Sequence, residues 1–260
     1  MTSDPYSRLD YRRLIAWPQR IEREAPFLEK ILSSGPSRRV LDLGCGPGEH
    51  SRWLAAHEFD VVGVDASESM LEAAREAPVP ENLRFLLGDL RSLEEVVDGS
   101  FGGAISLGNT LPHLRTEEDL ARLAAGLRSR LLPGAPFLLQ ILSYDRIFAR
   151  NERALPVNFR PDPEGELVFL RLMEPREDGT VLFFPTTLLL RPGHQPPVEV
   201  KHTREVELRG WKRREVEAVL EREGFRDFTA WGGFDGSAWE ETESRDLILV
   251  SRRGDGPPAA

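Results

Sequence analysis

The run Val40-Leu41-Asp42-Leu43-Gly44-Cys45-Gly46-Pro47-Gly48-Glu49-His50 constrains this chain more than any other stretch. Val40, Leu41 and Leu43 supply the apolar run of a buried strand, and a helix is expected from about Glu49. Between them, Gly44, Gly46 and Gly48 form a turn whose missing side chains let the backbone press against a ligand, while the helix presents its first N–H groups there. A dinucleotide-binding turn spaces its glycines G-x-G-x-x-G and would need the third at Glu49. Here the third is Gly48, and the turn follows an acidic Asp42, giving D-x-G-x-G-x-G. An ordinary strand-to-helix turn with no ligand is the plain alternative.

The turn opens an alternation. The spacing predicts a helix to about His57, a strand Val61–Val64 ending on Asp65, a helix from Ser67 to about Arg75 with Ser67 as N-cap, and a strand Leu83–Leu87 ending on Gly88-Asp89. A strand through Ala104, Ile105 and Leu107 follows, then a helix from Thr116 to about Leu131 and a strand Pro136–Leu142. Such alternation implies a parallel sheet covered on both faces, with ligands at the carboxyl ends of its strands. Ahead of it, Leu14, Ile15, Ile21, Leu28, Ile31 and Leu32 recur at helical spacing, and Pro18 and Pro26 divide them into two short helices, an N-terminal cap over residues 1–38. From about Leu155 to Leu208 the helical period gives way to β-favouring runs split by turns, read as an antiparallel insertion over 151–209 that acts as a flap. A helix Lys212–Glu223 with Gly224 after it, a strand Phe225–Trp231 and an antiparallel strand Leu247–Val250 complete the core, which therefore spans 39–150 and 210–252. The tail over 253–260 reads as disordered.

Composition excludes several classes. With 260 residues, 40% hydrophobic and 30% charged, the chain can bury a full core, and a net charge of −9 argues against a nucleic-acid backbone as its partner. No long apolar run suggests a membrane span or secretory leader, so a cytoplasmic setting is expected. The single cysteine, Cys45, excludes an internal disulfide, and His50, His57, His194 and His202 show no metal-ligand spacing, so no metal is expected.

The D-x-G-x-G-x-G turn resembles motif I of the class I S-adenosylmethionine (SAM) methyltransferases, whose turn accommodates a methionine tail. Asp65, at the end of the second strand, stands where a carboxylate takes both ribose hydroxyl protons, although NAD enzymes share that acid. Asp89 can accept a hydrogen bond from an adenine amino group. Gly108-Asn109-Thr110-Leu111-Pro112-His113, after the fourth strand, faces the expected methyl: Asn109 offers a donor and an acceptor for positioning, and His113 is either a base or a structural histidine.

Asp42 to Gly48, Val64-Asp65-Ala66-Ser67, Ser106-Leu107-Gly108-Asn109 through His113-Leu114, and Ser143-Tyr144-Asp145 together resemble the glycine N-methyltransferase and glycine/sarcosine methyltransferase group. The resemblance implies a Rossmann-like class I α/β fold: a seven-stranded, mostly parallel sheet with an antiparallel last strand, helices on both faces and an antiparallel β insertion. It implies SAM as cofactor and S-adenosylhomocysteine as product. The cofactor set is then Arg20, Asp42, Gly44, Cys45, Gly46, Gly48, Asp65, Ala66, Met70, Asp89, Leu90 and Leu107, with Arg20 on the methionine carboxylate and Asp89 and Leu90 at the adenine. Asn109, His113 and Tyr144 are the candidate catalytic residues, with Asn109, Tyr144 and Arg146 against the acceptor. In glycine N-methyltransferase an arginine two places before the tyrosine grips the substrate carboxylate, and here that place is Leu142. Arg146, Arg150 or Arg160 would have to replace it. The acceptor is expected to be a small molecule carrying an amine nitrogen, and the insertion offers a surface for a homodimer. A non-catalytic SAM-binding module and an NAD-dependent dehydrogenase remain the alternatives.

Overall fold

The computed structural model describes residues 15–256. Seven strands form the central sheet: β1 (Arg39–Leu43), β2 (Asp60–Asp65), β3 (Leu83–Leu87), β4 (Gly103–Ser106), β5 (Pro136–Leu142), β11 (Phe225–Trp231) and β12 (Asp246–Arg253). Their order is β11-β12-β5-β4-β1-β2-β3. β1 to β5 pair in parallel, and β12 runs antiparallel to both β5 and β11, as the helix-free loop between the last two strands requires. Successive side chains alternate between two buried layers: Leu41 and Leu43 on β1 and Leu247 and Leu249 on β12 face one, Val40 and Ile248 the other.

Helices α1 (Trp17–Leu32), α2 (Glu49–Ala56) and α3 (Glu68–Arg75) cover one layer through Leu28, Leu32, Leu54 and Leu71. The short α4 (Leu93–Val96), α5 (Glu117–Arg130) and α7 (Arg213–Arg222) cover the other through Leu93, Leu120, Leu123, Leu127, Val216 and Leu220. Ser67 and Thr116 cap α3 and α5 by accepting from Met70 N and Asp119 N.

α1 corrects the expectation of two short helices. Over the described residues the segment is one 16-residue helix. Pro18 sits in the first turn, where its missing N–H has no intrahelical partner to lose, and Pro26 lies inside the helix beside a face where Leu28 and Leu32 are fully buried. That burial, worth about 1.5–3 kcal/mol per side chain, offsets the interrupted hydrogen bond. Leu14 and the residues before it lie outside the described residues.

α6 (Tyr144–Arg150) leads into the insertion, a five-stranded antiparallel sheet of β6 (Asn158–Asp162), β7 (Gly165–Pro175), β8 (Thr180–Leu190), β9 (Val198–Thr203) and β10 (Val206–Arg209). β9 and β10 both pair with β8, so the run Val198–Leu208 is broken at Arg204-Glu205. β6, absent from the sequence reading, contains Pro161 and pairs only with β7, an edge position where a missing N–H is tolerated. Met173 and Val181 of the insertion and Trp211 join the same buried layer as α5 and α7, so the insertion shares the core's packing.

Candidate functional site

β1 delivers the chain into Gly44, Gly46 and Gly48 with φ of +70°, +54° and +78°, a left-handed path that glycine adopts without penalty. Gly44 N and Cys45 N both donate to Val64 O, at 2.7 and 3.1 Å, clamping the turn to the end of β2. The three glycines are present for different reasons. A Cβ on Gly44 would lie 2.3 Å from Thr110 Cγ2, and one on Gly48 2.5 Å from Phe85 Cζ, so both are demanded by the protein's own packing. A Cβ on Gly46 would meet nothing within 4 Å, so the turn leaves a concavity there. Gly46→Ala is therefore expected to lower the melting midpoint only by the cost of a left-handed alanine, about 1–2 kcal/mol, while weakening S-adenosylhomocysteine binding tenfold or more. Gly48→Ala should instead destabilise the fold by more than that. Thermal denaturation with and without ligand separates the two.

Asp65, at the tip of β2, closes the other wall. Its Oδ2 accepts from Gly46 N at 2.7 Å and its Oδ1 from Ser67 N at 2.9 Å, so it is oriented over the concavity by two backbone donors. Beneath the turn, the buried Asp42 accepts from Ser51 Oγ at 2.6 Å. Burial raises the Asp42 carboxyl above its ordinary value, against the His50 and Ser51 contacts. Burial likewise pushes the Cys45 thiol well above its usual range, so Cys45 is a small filler packed near Gly63 and not a nucleophile. Ala66 is exposed and Met70 buried at the start of α3, and Leu90 and Leu107 are buried.

Asp89 caps the turn of 3-10 helix Leu90–Ser92, accepting from Arg91 N at 2.9 Å, and its carboxylate carries the Arg91 guanidinium. That hydrogen bond holds the Asp89 carboxyl below its ordinary value.

α1 brings a charged cluster to the turn. Glu24, only 2% exposed, accepts from Arg20 Nε at 3.0 and 3.1 Å, from Arg23 Nη2 at 3.0 Å and from His50 Nε2 at 2.8 Å. Burial alone would raise this carboxyl, but the His50 hydrogen bond and the charges of Arg20 and His50, with Arg23, bring it to about 2. The Arg20 guanidinium lies over the Trp17 ring and beside Gly108, where a Cβ would be 3.7 Å from Nη2. α1 thus spans the glycine turn and the end of β4.

Beyond β4, Gly108 and Asn109 have φ of +72° and +69°. Gln140 fastens this bend: its Oε1 accepts from Gly108 N at 2.8 Å, and its Nε2 donates to Asp246 Oδ1 at 2.6 Å. The structure brings Asn109 and Tyr144 together. Asn109 Nδ2 donates to the Tyr144 hydroxyl at 3.0 Å, and Asn109 Oδ1 accepts from Leu142 N at 3.0 Å. Tyr144 is 1% exposed, and burial pushes its phenol well above the usual value, so it stays protonated at neutral pH. Its hydroxyl is spent on Asn109, which is half-buried at the bend.

His113 ends the 3-10 turn Leu111–His113 and faces Arg204 in the break between β9 and β10. Although the residue reaches solvent, the protein packed round the ring and the Arg204 cation hold its pKa below the ordinary imidazole value, so it is neutral at pH 7. Arg146 lies on α6 against Glu152, 3.0 Å away. Arg150 pairs with Glu243, and Arg160 donates to its neighbour's carbonyl at Phe159.

Glu24, Gln140 and Asp246 were not singled out by sequence. Two signals were there to be read: an acid four residues after Arg20 on a helix, and a lone glutamine in the apolar run PFLLQIL. Among the described residues no group of His, Cys, Asp or Glu is arranged to hold a metal ion. A groove lined by Arg115, Asp119, Asp178, Glu207 and Arg209 is a separate place that no turn residue lines, and there Arg115 pairs with Glu207.

Residues 40–134, from β1 to just before β5, match a family model described as a methyltransferase domain. Over that segment the chain resembles a methyltransferase domain, and its fold is the one that SAM-dependent methyltransferases adopt. The glycine/sarcosine N-methyltransferase of Parasynechococcus marenigrum is 36% identical over 137 residues, 52% of this chain and 49% of that protein. The chain thus spans about half the length of that relative. The glycine/sarcosine N-methyltransferase of Aphanothece halophytica is 29% identical over 229 residues, 85% of this chain and 78% of that protein. A SAM-dependent methyltransferase from Clostridium acetobutylicum superposes with a TM-score of 0.71 at 19% identity, covering 96% of each chain. An amino pentose methyltransferase from Micromonospora echinaspora gives 0.70 at 20% identity, covering 94% of each. The shared fold of the last two includes the region of the β insertion, since both cover nearly the whole methyltransferase chain.

Proposed function

We propose that this chain transfers the methyl group of SAM to an amine nitrogen of a small molecule. The observation that carries the reading is the opening at Gly46, walled by the Asp65 carboxylate, with the Asn109 carboxamide at the end of the adjoining β4. Bound there, SAM would supply a methyl on a sulfonium sulfur, which departs as the neutral thioether of S-adenosylhomocysteine as the nitrogen takes the methyl. Asp65 would take the ribose hydroxyls and Arg20 the methionine carboxylate, and Asp89 and Leu90 would line the adenine. The protein's remaining work is to hold an unprotonated nitrogen in line and keep water away. Asn109, fixed by Tyr144 and Leu142 N, orients the nitrogen. The α1 cap and the insertion enclose the acceptor.

Leu142 brings no cation to the acceptor, and Arg146, Arg150 and Arg160 are engaged by Glu152, Glu243 and the Phe159 carbonyl. An acceptor that does not depend on a carboxylate grip, such as an amine on a larger polar body, suits this site better than glycine. Both named N-methyltransferase relatives support nitrogen as the methylated atom. A screen for S-adenosylhomocysteine formation over amino acids, alkylamines and amino sugars, run beside alcohols, phenols and carbon acids of matching size, tests this. Turnover only with oxygen or carbon acceptors, or binding of SAM without turnover on any of them, would reject it.

We also propose a homodimer through the outer face of the insertion. Phe159, Val168, Leu188 and Val200 stand opposite one another across β6, β7, β8 and β9; Phe159 and Val200 at the two ends are 50% and 59% exposed, Leu188 is half-buried and Val168 is buried. Phe159 and Val200, with the half-buried Leu188 between them, leave apolar surface on this face for a second copy to cover. Sedimentation is expected to give a dimer that Val200→Lys with Phe159→Lys converts to a monomer of unchanged melting midpoint; a monomeric wild type ends the proposal. No described helix is long and apolar enough to cross a membrane, and a cytoplasmic setting goes with this reading.

A further inference from the structure

Arg20 and His50 approach one buried acid from different elements, and the shape of that cluster is informative. Glu24 holds Arg20 by Nε, through both carboxylate oxygens. The opposite edge of the guanidinium, Nη1 and Nη2, is turned toward Gly108: a Cβ on Gly108 would lie 4.0 and 3.7 Å from these two nitrogens. Gly108 is exposed at the carboxyl end of β4, so the two-nitrogen edge that suits a carboxylate is directed to the end of the sheet where α/β folds take their ligands. The second oxygen of Glu24 meets His50 Nε2 at 2.8 Å, and His50 is the second residue of α2, the helix that starts from the glycine turn. Trp17 completes the clasp, its ring edge-on to His50 at 5.7 Å between centroids and beneath Arg20.

We propose that Glu24 is a positioning residue for the methionine end of the cofactor: it fixes the cap arginine Arg20 with its two-nitrogen edge toward Gly108 and clips α1 to the helix of the glycine turn through His50. The inference rests on the reading of Arg20 as the carboxylate partner. An arginine side chain has several rotatable bonds, so one held in place before the ligand arrives loses less freedom on binding than one that swings. Glu24 touches neither the cofactor nor the acceptor; it acts through Arg20.

The test compares two ligands that share adenosine and differ in the tail: S-adenosylhomocysteine, which has the amino-acid carboxylate, and 5′-methylthioadenosine, which lacks it. Titration calorimetry on the wild type, Glu24→Gln, Arg20→Ala and the double variant gives both affinities. Glu24→Gln is expected to weaken S-adenosylhomocysteine about tenfold (roughly 1.4 kcal/mol) and to leave 5′-methylthioadenosine within twofold. Arg20→Ala should do the same, and the double variant should be no worse than Arg20→Ala alone. Equal loss of both ligands in Glu24→Gln would mean that Glu24 merely supports the fold, and overturns the inference. Loss in Arg20→Ala but none in Glu24→Gln also overturns it, while sparing the reading of Arg20; no selective loss in Arg20→Ala removes that reading itself. Should Glu24→Gln fail to fold, Glu24→Asp keeps the buried charge and withdraws it by one methylene. A selective loss of threefold or more is expected there, and an unchanged ratio of the two affinities counts against the inference.

Discussion

Asp65→Ala is expected to lower the affinity for S-adenosylhomocysteine about 100-fold. A carboxylate accepting two ribose hydroxyls makes two charge-assisted hydrogen bonds, each worth about 1.5–3 kcal/mol, and the loss of about 3 kcal/mol corresponds to two decades in affinity. The same carboxylate also accepts from Gly46 N and Ser67 N, so its removal unties the glycine turn from the start of α3 and should lower the melting midpoint as well. Asp65→Asn separates the two effects, because a carboxamide oxygen can still accept from one of these donors while the charge is gone; a loss nearer tenfold is expected. Unlike substitutions of Arg20 or Glu24, Asp65→Ala should weaken 5′-methylthioadenosine as much as S-adenosylhomocysteine, since both carry the ribose. Titration calorimetry reads all of these, and an Asp65→Ala protein that still binds S-adenosylhomocysteine as the wild type does would remove Asp65 from the cofactor site.

Local signals sufficed wherever a residue's role depends on its near neighbours. β3, β5 and β11 begin and end where the apolar runs do, and Ser67 caps α3 because its hydroxyl meets Met70 N three residues on. The turn at Gly44–Gly48 was legible for the same reason: strand, glycines and helix start are contiguous. Sequence reading failed where tertiary packing overrides a local rule. Pro26 lies inside α1 because Leu28 and Leu32 are buried against the sheet, and β6 holds Pro161 because only its far edge lacks a partner. The supporting residues of the site were hidden by distance along the chain. Glu24 meets His50 26 residues later, and Gln140 meets Gly108 32 residues earlier and Asp246 106 residues later. Composition cannot pair such residues; only the strand order that sets β5 between β4 and β12 does so.

Asn109→Gly should be the most damaging change for turnover that leaves the cofactor in place. Asn109 stands at φ +69°, so glycine preserves the backbone of the bend, whereas Asn109→Ala adds a left-handed alanine costing about 1–2 kcal/mol and blurs the result. What glycine removes is the carboxamide alone: the donor to Tyr144 and the acceptor of Leu142 N. The proposed role is alignment of the nitrogen, and a misplacement of about 1 Å in such a step can cost about 100-fold. Asn109→Gly is therefore expected to reduce kcat at least that much on the best acceptor, with S-adenosylhomocysteine affinity within threefold of the wild type. Tyr144→Phe should be milder. It deletes the hydroxyl's two contacts with the Asn109 carboxamide, at 3.0 and 3.3 Å and worth about 1 kcal/mol net, and leaves Asn109 tied to Leu142 N, so a fall of roughly fivefold is expected. The order of the two effects is the informative part. If Tyr144→Phe proved worse than Asn109→Gly, the phenol would be acting on the acceptor directly, which its burial and its hydrogen bond to Asn109 argue against. If Asn109→Gly turned over normally, the acceptor would have to be held by other groups of the insertion or the cap, and the assignment of the β4 bend to the acceptor would fall.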